Sequence, residues 1–90
     1  MSKAVVDANE LLEFAKALKQ FNQQANDLLA NINARFNRLG ETWKDPQQQR
    51  FATEFATTTK TLRQFIQTSE QHIPALTKKA QHIIAYNNER

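Results

Sequence analysis

The hydrophobic positions of this chain form two long helical stripes that one short polar segment separates. In the first half the apolar residues step by three and four positions, and only Arg35 breaks the series before Leu39. This spacing predicts an amphipathic helix over about 7–39. The stripe consists of Leu11, Phe14, Leu18, Phe21, Ala25, Leu28, Ile32 and Leu39. The apolar residues beside it, which widen the stripe, are Ala15, Leu29 and Phe36.

A second stripe predicts a second helix, over about 46–87. Its main apolar positions are Phe51, Phe55, Leu62, Phe65, Ile73, Leu76, Ala80 and Ile83. Pro74 interrupts this stripe. Because proline lacks the backbone N–H that a helix interior needs, we expect a kink or a short break near His72.

The polar segment between the stripes carries the signals of a bend at 40–46. Gly40 is the only glycine of the chain, and it can take the left-handed conformation that commonly ends a helix. Asp45 followed by Pro46 is typical of a cap and first position of a new helix. Asp7 predicts a similar cap for the first helix. The pattern therefore predicts an all-α antiparallel helical hairpin in a single domain.

The width of the stripes predicts that the hairpin does not work alone. A lone pair of helices has one seam, whereas each stripe here is broader than a narrow seam. Pairing with a second hairpin buries the excess in a four-helix bundle, as a homodimer or as a heterodimer with a similar hairpin. The residues expected to lie buried within or between the hairpins are Phe21, Leu28, Leu29, Ile32, Phe55, Leu62, Phe65 and Ile66.

Composition and charge narrow the function classes. The chain has 12 basic and 9 acidic residues, a formal net charge of +3, and no cysteine. The charges are mixed along the chain, so we expect no nucleic-acid partner, and a membrane role is disfavoured because Gln and Asn dominate the polar faces. The first residues lack an apolar signal-peptide core. We expect a cytoplasmic protein, whose export, if it occurs, uses no cleaved signal peptide.

The residues offer no arrangement suited to catalysis, so we expect no enzymatic activity, no cofactor and no metal. Glu10 and Glu13 lie one turn apart at a helix start, where capping explains them better than acid–base chemistry. His72 and His82 are ten residues apart, which is not a helical ligand spacing. One glycine cannot build a phosphate-binding loop.

Helix, tryptophan-containing bend and helix in a chain of this size resemble the WXG family, the ESAT-like (Esx) proteins of type VII secretion. The resemblance covers nearly the whole chain by architecture, and by motif only 39–55. The family's bend reads Trp, any residue, Gly, whereas here Asp45 follows Trp43 two positions on. Secreted members often carry Tyr followed four residues later by an acid, whereas Tyr86 and Glu89 are three apart. The resemblance implies that Gly40, Trp43 and Asp45 shape a recognition site, with Tyr86 and Glu89 as a C-terminal signal.

Three function classes remain open from the sequence. The first is a type VII secretion substrate or adaptor that travels as a folded dimer, read by a secretion ATPase. The second is a cytoplasmic helical partner that escorts a larger effector or toxin. The third, a membrane-active or DNA-binding module, is disfavoured by the polar faces. Trp43 has two compatible interpretations, as a packing residue that closes the hairpin and as a recognition residue.

Overall fold

Two long helices form an antiparallel hairpin in the computed structural model, which describes residues 6–88. Helix α1 spans Ala8–Leu39 and helix α2 spans Pro46–Asn88. The described residues contain no strand. The all-α hairpin predicted from the two stripes is confirmed, and the helix bounds lie within one residue of the predicted ones.

Both helices begin at the predicted aspartate caps. The Asp7 carboxylate accepts hydrogen bonds from the backbone N–H groups of Asn9 and Glu10, at 2.9 and 3.2 Å. The Asp45 carboxylate accepts one from the N–H of Gln48, at 2.9 Å. The Gln48 N–H also donates to the Asp45 carbonyl oxygen, at 3.0 Å. Because the first N–H groups of a helix lack the usual partner one turn back, each cap stabilises its helix by about 1 kcal/mol.

The end of α1 differs from the prediction at Gly40. This glycine keeps right-handed helical angles, with φ −62° and ψ −16°, instead of the expected left-handed ones. The last carbonyls are satisfied by a tightened turn, in which the N–H groups of Thr42 and Trp43 both donate to the Leu39 carbonyl. Because the turn closes in this way, the chain leaves the helix without the left-handed residue of a Gly-ended cap.

Helix α2 continues through Pro74 as one helix. The short break that the proline predicted is therefore absent, and a kink at this position stays a prediction. The missing hydrogen bond falls in a helix of 43 residues, whose remaining bonds hold the backbone on either side.

The helices meet along an inner seam of mostly small or polar side chains. Its buried residues are Ala8, Ala15, Asn22, Leu29, Thr59, Ile66, Ser69 and Ala80. Small side chains let two helices approach closely, so this row faces the neighbouring helix although the larger apolar residues lie elsewhere. Of the residues expected to be buried, Leu29 and Ile66 lie in the inner seam.

The hairpin is only one layer of helices thick. Its Cα atoms span 67 × 27 × 16 Å. Its accessible surface is 7537 Å², compared with roughly 5,400 Å² for a compact monomeric protein of this mass. One layer cannot enclose a core, because each helix has only one neighbour on which to bury a stripe.

Candidate interaction surfaces

One broad side of the hairpin carries most of the large apolar side chains, and we call it the outer face. Its residues are Phe14, Phe21, Leu28, Ile32, Leu62 and Phe65. Leu28 is 68% exposed, Phe21 52% and Phe65 51%. These are values for the single hairpin, and the predicted burial of these side chains between hairpins stays a prediction. A contiguous apolar surface of this kind is typical of a protein–protein contact.

The middle of the outer face is an open groove between the helices. Side chains of both helices line it, among them Phe21 and Leu28 from α1 and Phe65 from α2. The polar groups at its edge are Asn31 and Arg35, and the Arg35 Nε donates to the Asn31 Oδ1 at 2.8 Å. Such a groove fits apolar side chains, with one cation held in place at its margin.

The bend end of the hairpin is closed by an aromatic cluster, which we call the bend cluster and which consists of Phe36, Trp43, Phe51 and Phe55. The Phe36 ring lies 5.1 Å from that of Phe55 and 5.5 Å from that of Phe51, measured between centroids. Both pairs are tilted, an arrangement that aromatic quadrupoles favour. The cluster therefore joins the end of α1 to the start of α2.

Trp43 forms the outer edge of the bend cluster. Its ring centroid lies 6.4 Å from that of Phe51, and the residue is only half-buried. Together with Leu39 and Ile32 it borders a small apolar depression that continues the outer face toward the bend. Gly40 and Asp45, its predicted partners in a recognition site, shape the backbone here: Gly40 ends α1 and Asp45 caps α2. Packing and recognition are both compatible with this position.

The centre of the inner seam holds a buried polar contact that the sequence pattern did not reveal. Asn22 is 1% exposed, and its Nδ2 donates to the Ser69 Oγ and, at 2.8 Å, to a carboxylate oxygen of Glu70. The Asn22 Oδ1 is buried and lacks a hydrogen-bond partner. The sequence did contain a signal for the burial of Asn22, because it lies seven residues from both Ala15 and Leu29 and so shares their side of α1.

The start of α1 and the end of α2 lie at the opposite end of the rod from Trp43. Val6 and Asp7 share a shallow depression with Ile83 and Asn87. Tyr86 is 69% exposed, so it is free of packing within the hairpin. Glu89, the second residue of the predicted C-terminal signal, lies outside the described residues. Within one hairpin, Tyr86 and Trp43 are therefore far apart.

Residues 6–88 contain no group of three or more His, Asp or Glu side chains placed to hold a metal ion. None of the helices in this range is long and apolar enough to cross a membrane. Within the described residues, most of the exposed large apolar side chains lie in the outer face and the bend cluster.

The described residues thus form a small all-α helical hairpin with an exposed apolar face and an aromatic bend. The sequence profile of the WXG100 family, described as proteins of 100 residues with WXG, matches residues 5–86. The chain belongs to this family, whose members are small, non-enzymatic helical proteins related to type VII secretion. The predicted family resemblance is thereby confirmed. The chain matches no curated protein and no solved structure.

Proposed function

We propose that this chain is a non-enzymatic substrate or adaptor of type VII secretion, which acts through protein–protein contacts as a helical dimer. The observation that carries this proposal is the outer face, a continuous apolar surface on a hairpin one layer thick. Family membership supports the secretion context.

The apolar character of the outer face favours a similar hairpin as the partner. Each large apolar side chain that moves from water into a contact contributes about 1.5–3 kcal/mol. A second single-layer hairpin laid on this face completes a four-helix bundle, in which the outer faces of both hairpins become the core. The same surface left in water would favour aggregation, so a partner is needed for solubility as well as for stability.

The recognition site that we propose is a composite patch at each end of the dimer. In an antiparallel pair the bend of one hairpin lies near the chain ends of the other. Trp43 then comes close to Tyr86 and Glu89 of the partner hairpin. Half-burial of Trp43 and exposure of Tyr86 support this assignment, because both side chains keep a free surface. A secretion ATPase is the proposed reader of the patch.

Export from the cell tests the proposal. The protein is followed in cells and in culture medium, with the secretion ATPase active and inactive. We expect it in the medium only with the active ATPase. Trp43→Ala and the Tyr86→Ala/Glu89→Ala pair should each lower export while leaving the dimer mass unchanged. If each variant forms a dimer and is exported like the parent, the patch is not the recognition site.

A second function, escort of a larger effector in the cytoplasm, has its own support in the tail. Tyr86 and Glu89 are three residues apart, not the four of the family's signal. A chain that stays in the cell needs no such signal, yet it still needs the outer face to hold an effector with a similar hairpin. Retention in the cell together with co-purification of a larger protein, lost in Leu28→Asp, would favour this function over export.

A further inference from the structure

The side of α1 that faces α2 is not the most apolar side of that helix. Its buried residues, which stand seven apart and which we call the inner row, are Ala8, Ala15, Asn22 and Leu29. The row one residue before it is exposed and contains Phe14, Phe21 and Leu28. Successive residues of a helix lie about 100° apart, so a turn of one residue about its own axis would bring the larger side chains inward. Apolar burial alone therefore does not explain why the inner row faces α2.

Helix α2 offers the same choice between two sides. Ile66 is buried in the inner seam, whereas Phe65, one residue before it, is exposed. Phe65 already lines the groove of the outer face together with Phe21 and Leu28. If each helix turned by one residue, these three side chains would lie between the helices, away from water. The observed arrangement therefore needs a contact that opposes this rotation.

The polar contact of the inner seam opposes it. The Asn22 Nδ2 donates to the Ser69 Oγ and, at 2.8 Å, to a carboxylate oxygen of Glu70. Hydrogen bonds weaken steeply as their geometry departs from linear, so a turn of one residue would break both. A hydrogen bond to a carboxylate is also roughly twice as strong as one between neutral groups. The two bonds therefore hold one side of α1 toward α2.

Asn22 stands where α1 has little else to fix its rotation. Toward the bend, the inner row continues with Leu29, and the bend cluster lies beyond it. Toward the start of α1, the inner row contains only Ala15 and Ala8. A methyl group buries little apolar area, so these alanines cannot outweigh what burial of Phe14 would contribute. The half of the hairpin away from the bend therefore depends on Asn22 for its rotation.

We propose that Asn22 is a positioning residue, which keeps the inner row toward α2 and so leaves the outer face free for a partner. Its Oδ1 is buried without a hydrogen-bond partner, a defect that an apolar residue at this position would not have. In some helical proteins a buried polar residue selects one arrangement of the helices at a cost in stability. The inference rests on the proposed function for what the outer face binds, whereas the rotation of the helices is a property of one hairpin.

Removal of both acceptors tests the role of Asn22. In the variant Ser69→Ala/Glu70→Ala, which we call the acceptor-free variant, the Asn22 amide has no partner while it faces α2. After a turn of one residue the amide would lie at the side of the hairpin, where water hydrates it. The half of the hairpin away from the bend should therefore turn, and Ala15 should leave the inner seam.

Single cysteines report this rotation, since the chain has no cysteine of its own. Ala15 is buried, so Ala15→Cys should react slowly with a thiol reagent when the rest of the chain is unchanged. In the acceptor-free variant it should react about tenfold faster or more, because burial of an amide without acceptors is costly. The reaction is followed over a dilution series, since a partner on the outer face contributes least at low protein concentration.

Ala25→Cys is the matched control for unfolding. Ala25 is half-buried and lies three residues after Asn22 and four after Phe21, so it touches both rows. Either rotation therefore covers it, and its reaction rate should be the same with and without the acceptors. Unfolding, by contrast, would expose Ala15→Cys and Ala25→Cys together.

Asn22→Leu in the acceptor-free variant provides a rescue. Leucine has no polar group for water to hydrate, so the inner row should face α2 again. The reaction of Ala15→Cys should then return to the slow rate of the parent, although neither hydrogen bond is restored. A rate that stays fast would overturn the role of the Asn22 amide.

The outcomes separate this inference from the proposed function. Faster reaction at Ala15→Cys alone supports the positioning role. Equal acceleration at Ala25→Cys would overturn it, because the contact would then contribute only stability. Slow reaction at Ala15→Cys at every dilution would overturn it too, since the inner row would need no polar contact. Either result leaves the proposed function standing as long as Leu28→Asp abolishes the dimer, and a dimer that survives Leu28→Asp would overturn that function instead.

Discussion

The inner seam and the outer face of the hairpin use opposite kinds of side chain. The inner seam is built mainly from Ala, Ser, Thr and one Asn, whereas the outer face presents Phe, Leu and Ile. Buried apolar area is the main source of stability. Within one hairpin the inner seam therefore buries little apolar area, and most of the large apolar side chains stay exposed. This difference is the basis of the proposal that the folded unit is larger than one chain.

The largest effect should come from a charge in the middle of the outer face. Leu28→Asp removes a side chain worth about 1.5–3 kcal/mol, twice in a symmetric dimer, so the dimer Kd should rise at least ~100-fold. Sedimentation or light scattering measures this change. Gln23→Asp, on the opposite side of α1, is the control. If both variants raised the dimer Kd equally, the outer face would not differ from the opposite side of α1 in its contribution to the dimer.

A smaller loss is expected at the bend cluster. Trp43→Ala should lower stability by about 2 kcal/mol, roughly half of the ~3–5 kcal/mol lost with a fully buried ring, because Trp43 is half-buried. A thermal melt at fixed protein concentration provides the measurement. An unchanged melt would assign Trp43 to recognition alone and separate the bend from the packing of the helices.

Two variants of the polar contact in the inner seam should change the free energy of unfolding in different directions. Ser69→Ala removes one acceptor of the Asn22 amide and should cost about 0.5–1.5 kcal/mol. Asn22→Leu with Ser69→Ala removes donor and acceptor together, and also the unpartnered Oδ1, so it should be neutral or stabilising. Denaturant unfolding compares the two. A double variant less stable than Ser69→Ala would show that the polar contact stabilises the inner seam.

The smallest effect belongs to Gly40. Its backbone is right-handed, and a Cβ there would lie 3.3 Å from the Asn37 carbonyl oxygen, a tight contact. Gly40→Ala should change stability by less than about 1 kcal/mol, since the entropy lost by the unfolded chain offsets the close contact. Clear destabilisation beyond that would point to the left-handed conformation that the sequence predicted. The melting temperature, measured beside that of the parent, decides between them.

The helices, their caps and the bend were predictable because short-range physics fixes them. Alternating steps of three and four define each stripe, and Asp7 and Asp45 cap the first turn wherever a helix starts. The conformation of Gly40 was predicted wrongly, since a tightened turn satisfies the last carbonyls as well as a left-handed glycine does. Sequence alone does not choose between these two endings.

Which row faces inward was harder to predict. The stripe from Phe14 through Phe21 to Leu28 marks the strongest apolar signal, yet the row of Ala15 and Asn22 is the one that meets α2. A hydrophobicity pattern gives most weight to large apolar side chains, whereas the close approach of two helices favours small ones. The burial of Asn22 was not predicted, because a polar residue beside an apolar stripe is typical of the solvent-exposed margin of that stripe.

The dependence of thermal unfolding on protein concentration tests the central claim most directly. If the outer face is buried against a second copy, the melting temperature should rise with concentration, and the mass in solution should be twice the 10.4 kDa of the chain. A 10.4 kDa particle that unfolds cooperatively at a melting temperature independent of concentration would contradict the account.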